Sequence, residues 1–189
     1  SEMCIRDRLQ EIDYVLKNLS SAVNQTAYFS VLSGGEVLYL LEERVATPIT
    51  IQAKRGYKYP AYATGIGKAL LSGKTEKDIK TLYPEGLYKL TEHTIDDFDT
   101  LFSQMEETQK SGYSFEKEES NKDVQCIAVP VKYKENVIAG MSVAVPVFYY
   151  SEEFEKKAME ELKKAKQHIE KLIQDNTQEW VYSPLGTET

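Results

Sequence analysis

The last third of the chain carries two β-rich apolar runs, Val124 to Val131 and Val137 to Val145, joined by the short polar stretch Lys134-Glu135-Asn136. Runs so close together can pair only as an antiparallel hairpin. Side chains alternate across a strand, so Cys126 and Ala128 share one face while Ile127, Val129 and Val131 share the other. On the returning strand Gly140, Ser142 and Ala144 lie together, opposite Met141, Val143 and Val145. With a three-residue turn, Ala128 falls opposite Ser142 and Cys126 opposite Ala144. One face of the ribbon is therefore bulky and apolar, suited to helices. The other is small throughout. It either lets a helix come close or leaves a cavity holding a thiol and a hydroxyl.

The remaining pattern supplies the partners. Leu9, Ile12, Leu16, Leu19 and Val23 recur at helical spacing. Tyr28 to Leu32 and Val37 to Leu41 read as a hairpin about Gly34-Gly35, and Ile49 to Ala53 as a third strand. Lys68 to Ser72 is helical, and Thr75 with Asp78 caps a further short helix. Thr94 and Asp97 repeat that arrangement ahead of Phe98, Leu101, Phe102 and Met105, with Gly112 as the stop. A strand starts at Tyr113 to Phe115. Ser151 caps a long helix with Glu152 and Glu153 in its first turn, and apolar positions from Phe154 to Leu172. The sum is an α+β fold, with a mostly antiparallel sheet between the terminal helices on one side and the middle helices on the other. From Gln174 the pattern fails, so 175–189 reads as a loose tail in which Trp180 is the one docking candidate. Residues 1–8 reverse-translate readily to a transposon-end adapter string used in sequencing libraries. They are set aside as non-native, Cys4 included, which leaves 9–174 as the domain and implies a natural protein continuing further N-terminally.

The segment Tyr59-Pro60-Ala61-Tyr62-Ala63-Thr64-Gly65-Ile66-Gly67-Lys68-Ala69 places two glycines where a loop becomes a helix. Glycine lets backbone approach a ligand, and fresh helical N–H groups favour an anion. The same glycines equally serve a tight turn into a buried helix. The segment lacks the four-residue spacer and the Ser/Thr of a phosphate-binding loop. Glu116 directly follows a strand and can face the proposed cavity, whereas Lys117, Glu118 and Glu119 read as a solvated charge run. Cys126 has no histidine near it in sequence, which favours a buried, unreactive thiol over a nucleophile. His93 and His168 stand apart from other ligand types, so no metal site is expected. A net charge of −7 argues against nucleic-acid binding by this segment. No apolar window is long enough for a membrane span, and two cysteines without a CxxC fit a reducing cytoplasm.

Four blocks at compatible spacings give a resemblance from about Leu9 to Ile173. They are Pro60-Ala61-x-x-Thr64-Gly65-x-Gly67-Lys68-Ala69; Leu90-Thr91-x-x-Thr94-Ile95; Gly112-Tyr113-Ser114-x-x-x-Glu118-Glu119; and Cys126-Ile127-Ala128-x-Pro130-Val131 with the strand ending at Pro146. Together they resemble the C-terminal effector-binding domain of IclR-type bacterial transcription regulators. The resemblance implies a GAF-like curved antiparallel sheet flanked by helices, with a small-molecule pocket on its concave face. It implies assembly as a homodimer or tetramer, and DNA binding through an N-terminal winged helix-turn-helix with no counterpart in these residues. It further implies ligand binding at Gly65, Ile66, Gly67, Glu116, Cys126, Ser142 and Ala144. Ile66 replaces a small residue there, Glu116 a shorter Asp, Ala144 a second serine, and Tyr62 a usual histidine, so the guest differs even where the site does not. The expectation is a cytoplasmic sensor without cofactor or metal, not an enzyme. Its rivals are a structural or oligomerisation module whose pocket is closed by Ile66 and Tyr62, and a free-standing thiol enzyme using Cys126.

Overall fold

The computed structural model describes residues 2–46 and 58–182. In chain order the elements are α1 (Glu2–Asp7), α2 (Leu9–Val23), β1 (Thr26–Ser33), β2 (Glu36–Glu43), β3 (Lys58–Pro60), α3 (Gly65–Leu71), α4 (Glu76–Leu82), α5 (Phe98–Ser111), β4 (Ser114–Lys117), β5 (Val124–Tyr133), β6 (Asn136–Pro146) and α6 (Glu152–Tyr182). The strands form one curved antiparallel sheet in the order β3-β2-β1-β6-β5-β4. The strand expected at Ile49 to Ala53 lies outside the described residues.

The bulky face of the sheet is covered by α2 and α6. Ile12, Leu16 and Leu19 from α2, with Ala158, Leu162 and Ile169 from α6, pack on Phe29, Ile127, Val129, Met141 and Val143. Side chains of this kind contribute about 1.5–3 kcal/mol each on full burial, which is why the 3.6-residue apolar stripe orients both helices. The opposite face carries α3, α4 and α5, through Ile66, Leu70, Ile79, Leu101 and Met105 against Tyr28, Val37, Ala128 and Ala144. The two-sided arrangement read from the sequence is the one found.

The β5–β6 register is as expected, Cys126 opposite Ala144 and Ala128 opposite Ser142, but the hairpin reaches it differently. The turn is two residues long, Lys134 and Glu135 at φ 47° and 63° between the paired Tyr133 and Asn136. Such a left-handed pair matches the twist of the flanking strands. It would shift the ladder by one residue, and a bulge at Val131/Lys132 shifts it back, because Lys132 faces Val137 while Val131 faces Ala139. Ile138 is the extra residue.

Two further expectations are corrected. Thr94 does not cap α5; Asp97 does, accepting from Thr100 N at 2.7 Å. Thr94 instead ties the preceding loop, its hydroxyl oxygen accepting from Leu90 N and Thr91 N and donating to the Glu119 carbonyl. Helix α6 runs through Tyr182, so residues 175–182 continue it where a loose tail was expected. No Gly or Pro interrupts the chain before Pro184, and loss of an apolar stripe does not by itself end a helix. The Trp180 side chain and residues 183–189 lie outside the described part. Residues 2–7, set aside from the sequence, form α1, and Ile5 joins the core beside α2 and α6.

Candidate functional site

The small face of the β5–β6 ribbon does both things that small side chains permit. At Gly140 it lets α3 descend onto the sheet: a Cβ there would lie 3.0 Å from Ile66 Cγ1. At the start of the helix a cavity of about 30 Å³ opens, room for roughly one water molecule. Its walls are Gly65 and Ile66 from α3, and Cys126, Ser142 and Ala144 from the ribbon. Three tyrosines that the sequence reading did not single out, Tyr28, Tyr39 and Tyr59, complete it from β1, β2 and β3. Their rings meet edge to face, Tyr28 on Tyr39 at 5.2 Å and Tyr39 on Tyr59 at 6.5 Å. This aromatic chain could have been found from the alternation of β1 and β2, which puts Tyr28 and Tyr39 on the cavity face. A larger hollow of about 550 Å³ lies at the other end of the strands, beside Val31, Leu70, Lys74 and Val137. Asp78 and Thr81 line it too, but it holds none of the residues expected at the site, five of which meet in the smaller cavity.

Cross-strand register explains the grouping. Thr26, Ala144, Cys126 and Glu116 form one rung across β1, β6, β5 and β4, and Tyr28, Ser142, Ala128 and Ser114 form the next. Ser114 donates from its hydroxyl to the Gly65 carbonyl at 2.5 Å, fixing the start of α3 over the rungs. Thr64 caps that helix by accepting from Gly67 N at 2.9 Å. Replacing Thr64 with valine keeps the shape and removes this acceptor at a buried helix end. It should lower unfolding stability by about 1–2 kcal/mol, measurable as a shifted urea midpoint at constant slope.

Of the seven residues expected at the site, Gly65, Ile66, Cys126, Ser142 and Ala144 line the cavity, and Gly67 and Glu116 do not. Gly67 faces away, toward the Ala61 backbone. Glu116 shares the rung of Cys126 but sits one strand outward, on β4, its Cβ 3.5 Å from where a Gly65 Cβ would be. Its Oε1 accepts from Glu119 N at 2.5 Å and Ser120 N at 3.0 Å, which holds the following loop in place. That loop then presents Ser120 and Asn121 to the cavity. Tyr62, expected to close the pocket, is buried elsewhere. Its hydroxyl donates to the Tyr88 carbonyl and accepts from Tyr88 N, while its ring meets Tyr83.

The charge run also divides. Lys117 is exposed, but Glu119 is buried and binds Lys68 Nζ at 2.5 Å, the two side chains being 8% and 1% exposed. Lys68 is therefore committed to Glu119 rather than offered to an anion. Among the described residues no cationic side chain lines the cavity. Burial, then the nearby Glu116, push the Cys126 thiol well up, the opposite of what a nucleophile needs. Burial also raises the Tyr39 phenol. His93 and His168 are exposed, and among the described residues no group of three or more His, Cys, Asp or Glu side chains could hold a metal. No helix among them is long and apolar enough to cross a membrane.

The sequence model described as bacterial transcriptional regulator IclR C-terminal matches residues 5–171. The chain is 29% identical over 149 residues to the HTH-type transcriptional regulator KdgR of Escherichia coli strain K12, covering 78% of this chain and 57% of that one. It thus spans about half the length of the curated relatives it matches. The crystal structure of the C-terminal domain of E. coli KdgR superposes with a TM-score of 0.77 at 27% identity, covering 88% of this chain and 98% of that domain. The inducer-binding domain of the Acinetobacter transcription factor PobR shares the fold, with a TM-score of 0.79 at 23% identity over 85% of this chain and 96% of that one. The matched span includes both the sheet that builds the cavity and the helix that roofs it, and the chain belongs to the IclR C-terminal domain family.

Proposed function

We propose that this domain senses a small organic metabolite bound in the cavity between α3 and the β5–β6 ribbon. The observation that carries the reading is the convergence of Ser142, Cys126 and three tyrosines on one small cavity at the start of α3. A double mutant of the PobR domain was crystallised with 3-hydroxybenzoic acid, which supports a ligand of that size and chemistry here. An organic acid would lie beside Gly65 and Ile66, meet Ser142 and Cys126 on the sheet, and present a hydroxyl or amine toward Glu116. An ionised carboxylate facing another is unfavourable. Since the empty cavity holds about one water, a ligand of several heavy atoms must displace tyrosine side chains, and opening the site lowers its apparent affinity.

That displacement supplies the signal. A ligand shifts an equilibrium by its differential affinity for two states, and moving Tyr39 or Tyr59 moves β2 and β3. In a full-length regulator the domain would act as a homodimer or tetramer and reposition winged helix-turn-helix domains on DNA.

Titration calorimetry against keto, hydroxy and aromatic acids tests the reading. Ser142→Leu fills the cavity and should weaken any observed affinity by about 100-fold or more; affinities unchanged by it would sink the proposal. The small volume also favours a second reading, a structural module with a closed cavity. A broad metabolite screen in which nothing raises the melting temperature would decide for that one.

A further inference from the structure

Glu116 has one carboxylate oxygen that the fold leaves unanswered. The residue is 2% exposed, and while Oε1 accepts two backbone N–H bonds, Oε2 is buried with no hydrogen-bond partner. The groups that face it are Lys68 from α3, Glu119 from the following loop, Cys126 from β5 and Tyr39 from β2. Only Lys68 is cationic, and its ammonium is held by Glu119. Two ionised carboxylates and one ammonium leave a negative charge uncompensated beneath the cavity, where low dielectric makes it expensive. Both residues that separate this charge from the cavity, Gly65 and Cys126, are cavity walls.

We propose that Glu116 carries a proton in the empty site and that this proton sets the charge of the molecule the cavity admits. Protonated, the carboxyl tolerates a ligand carboxylate in the cavity beyond Gly65 and Cys126. Ionised, it repels anions and favours hydroxyl or amine donors. The inference rests on the cavity being a ligand site, and it makes binding of an anionic effector a proton-coupled event.

The electrostatics run the same way. Burial pushes the Glu116 carboxyl up to about 7, against the Ser120 and Glu119 amide bonds and Lys68, which pull it down. The folded chain therefore holds this proton more tightly than the unfolded one. The resulting stability is complete below the ordinary carboxylate range and is lost as pH rises through about 7. Above that point, affinity for a monoanion falls by about tenfold per pH unit.

Two measurements on the whole chain test this. Infrared or carboxyl-carbon NMR titration should show one carboxyl still protonated at about pH 6, titrating near neutrality and missing from Glu116→Gln. In Glu119→Gln, Lys68 is released to Glu116 and the midpoint should drop by about one unit. A Glu116 carboxyl already ionised at about pH 6 overturns the proposal whatever binds. In a Cys4→Ser background, alkylation of Cys126 by anionic iodoacetate, taken relative to neutral iodoacetamide, cancels the thiolate fraction. That ratio should fall at least about fivefold between about pH 6 and pH 8, and stay flat in Glu116→Gln; equal behaviour of the two chains also overturns it. Failure of every acid to bind at low pH would instead remove the effector reading and leave the proton site standing.

Discussion

Replacing Lys68 with methionine is expected to cost about 3–5 kcal/mol of unfolding stability, among the largest effects of any single side chain here. Methionine fills the aliphatic stem of the lysine but strips Glu119 of its buried counter-ion. The stranded carboxylate cannot turn to water, because its Oε1 accepts from Ile95 N and its backbone carbonyl accepts from Thr94 Oγ1. The double replacement Lys68→Met with Glu119→Leu should recover most of the loss. What remains should be about 1 kcal/mol for the Ile95 N–H left without its acceptor. Urea unfolding of the four proteins in a double-mutant cycle measures this directly. A double mutant as unstable as Lys68→Met would show that the pair does more than neutralise itself.

The second large effect is Gly67→Ala, for which a loss of about 3 kcal/mol or more is expected. An added Cβ would land on the Ala61 carbonyl, 2.5 Å from Ala61 Cα, so backbone must move rather than a side chain. That backbone is pinned on its far side, Ala61 N donating to the Gly35 carbonyl at 2.9 Å. Alanine's better helix propensity returns only about 1 kcal/mol. Gly65→Ala is the informative contrast. Its Cβ would meet Cys126 Cβ at 3.1 Å, a side-chain contact that can yield by a few tenths of an ångström. It should cost clearly less stability while encroaching on the cavity. Thermal unfolding separates the two, and equal losses would show that close backbone approach is not what Gly67 provides.

The two glycines therefore answer differently the question the sequence posed of both. Gly67 serves the tight turn, Gly65 the wall of the site, and nothing in Gly-x-Gly-Lys distinguishes them. The rest of the fold was readable wherever the deciding interaction was local or periodic. Ser151 caps α6 by accepting from Phe154 N, Thr75 and Asp78 form a reciprocal capping box, and strand alternation separates Ile127 from Cys126. It failed where the deciding partner is distant. Glu119 looks solvated among Lys117 and Glu118 because its counter-ion is 51 residues earlier. Thr94 looks like a helix cap because its true partners are the preceding loop and the Glu119 carbonyl. The tyrosine wall is assembled from three strands, so no single segment announces it.

The bulge in the β5–β6 hairpin has a consequence for how relatives of this domain can differ in length. Ile138 and Ala139 both join the core under the bulky face, although neighbours on a regular strand would part. Removing Ile138 would leave a regular ladder with Val131 still facing Ala139, so every pair beyond it would be unchanged. Dropping Met141 would instead turn Val143 and Val145 into the cavity. One end of this hairpin can gain or lose a residue without reshaping the cavity, while the other counts every one.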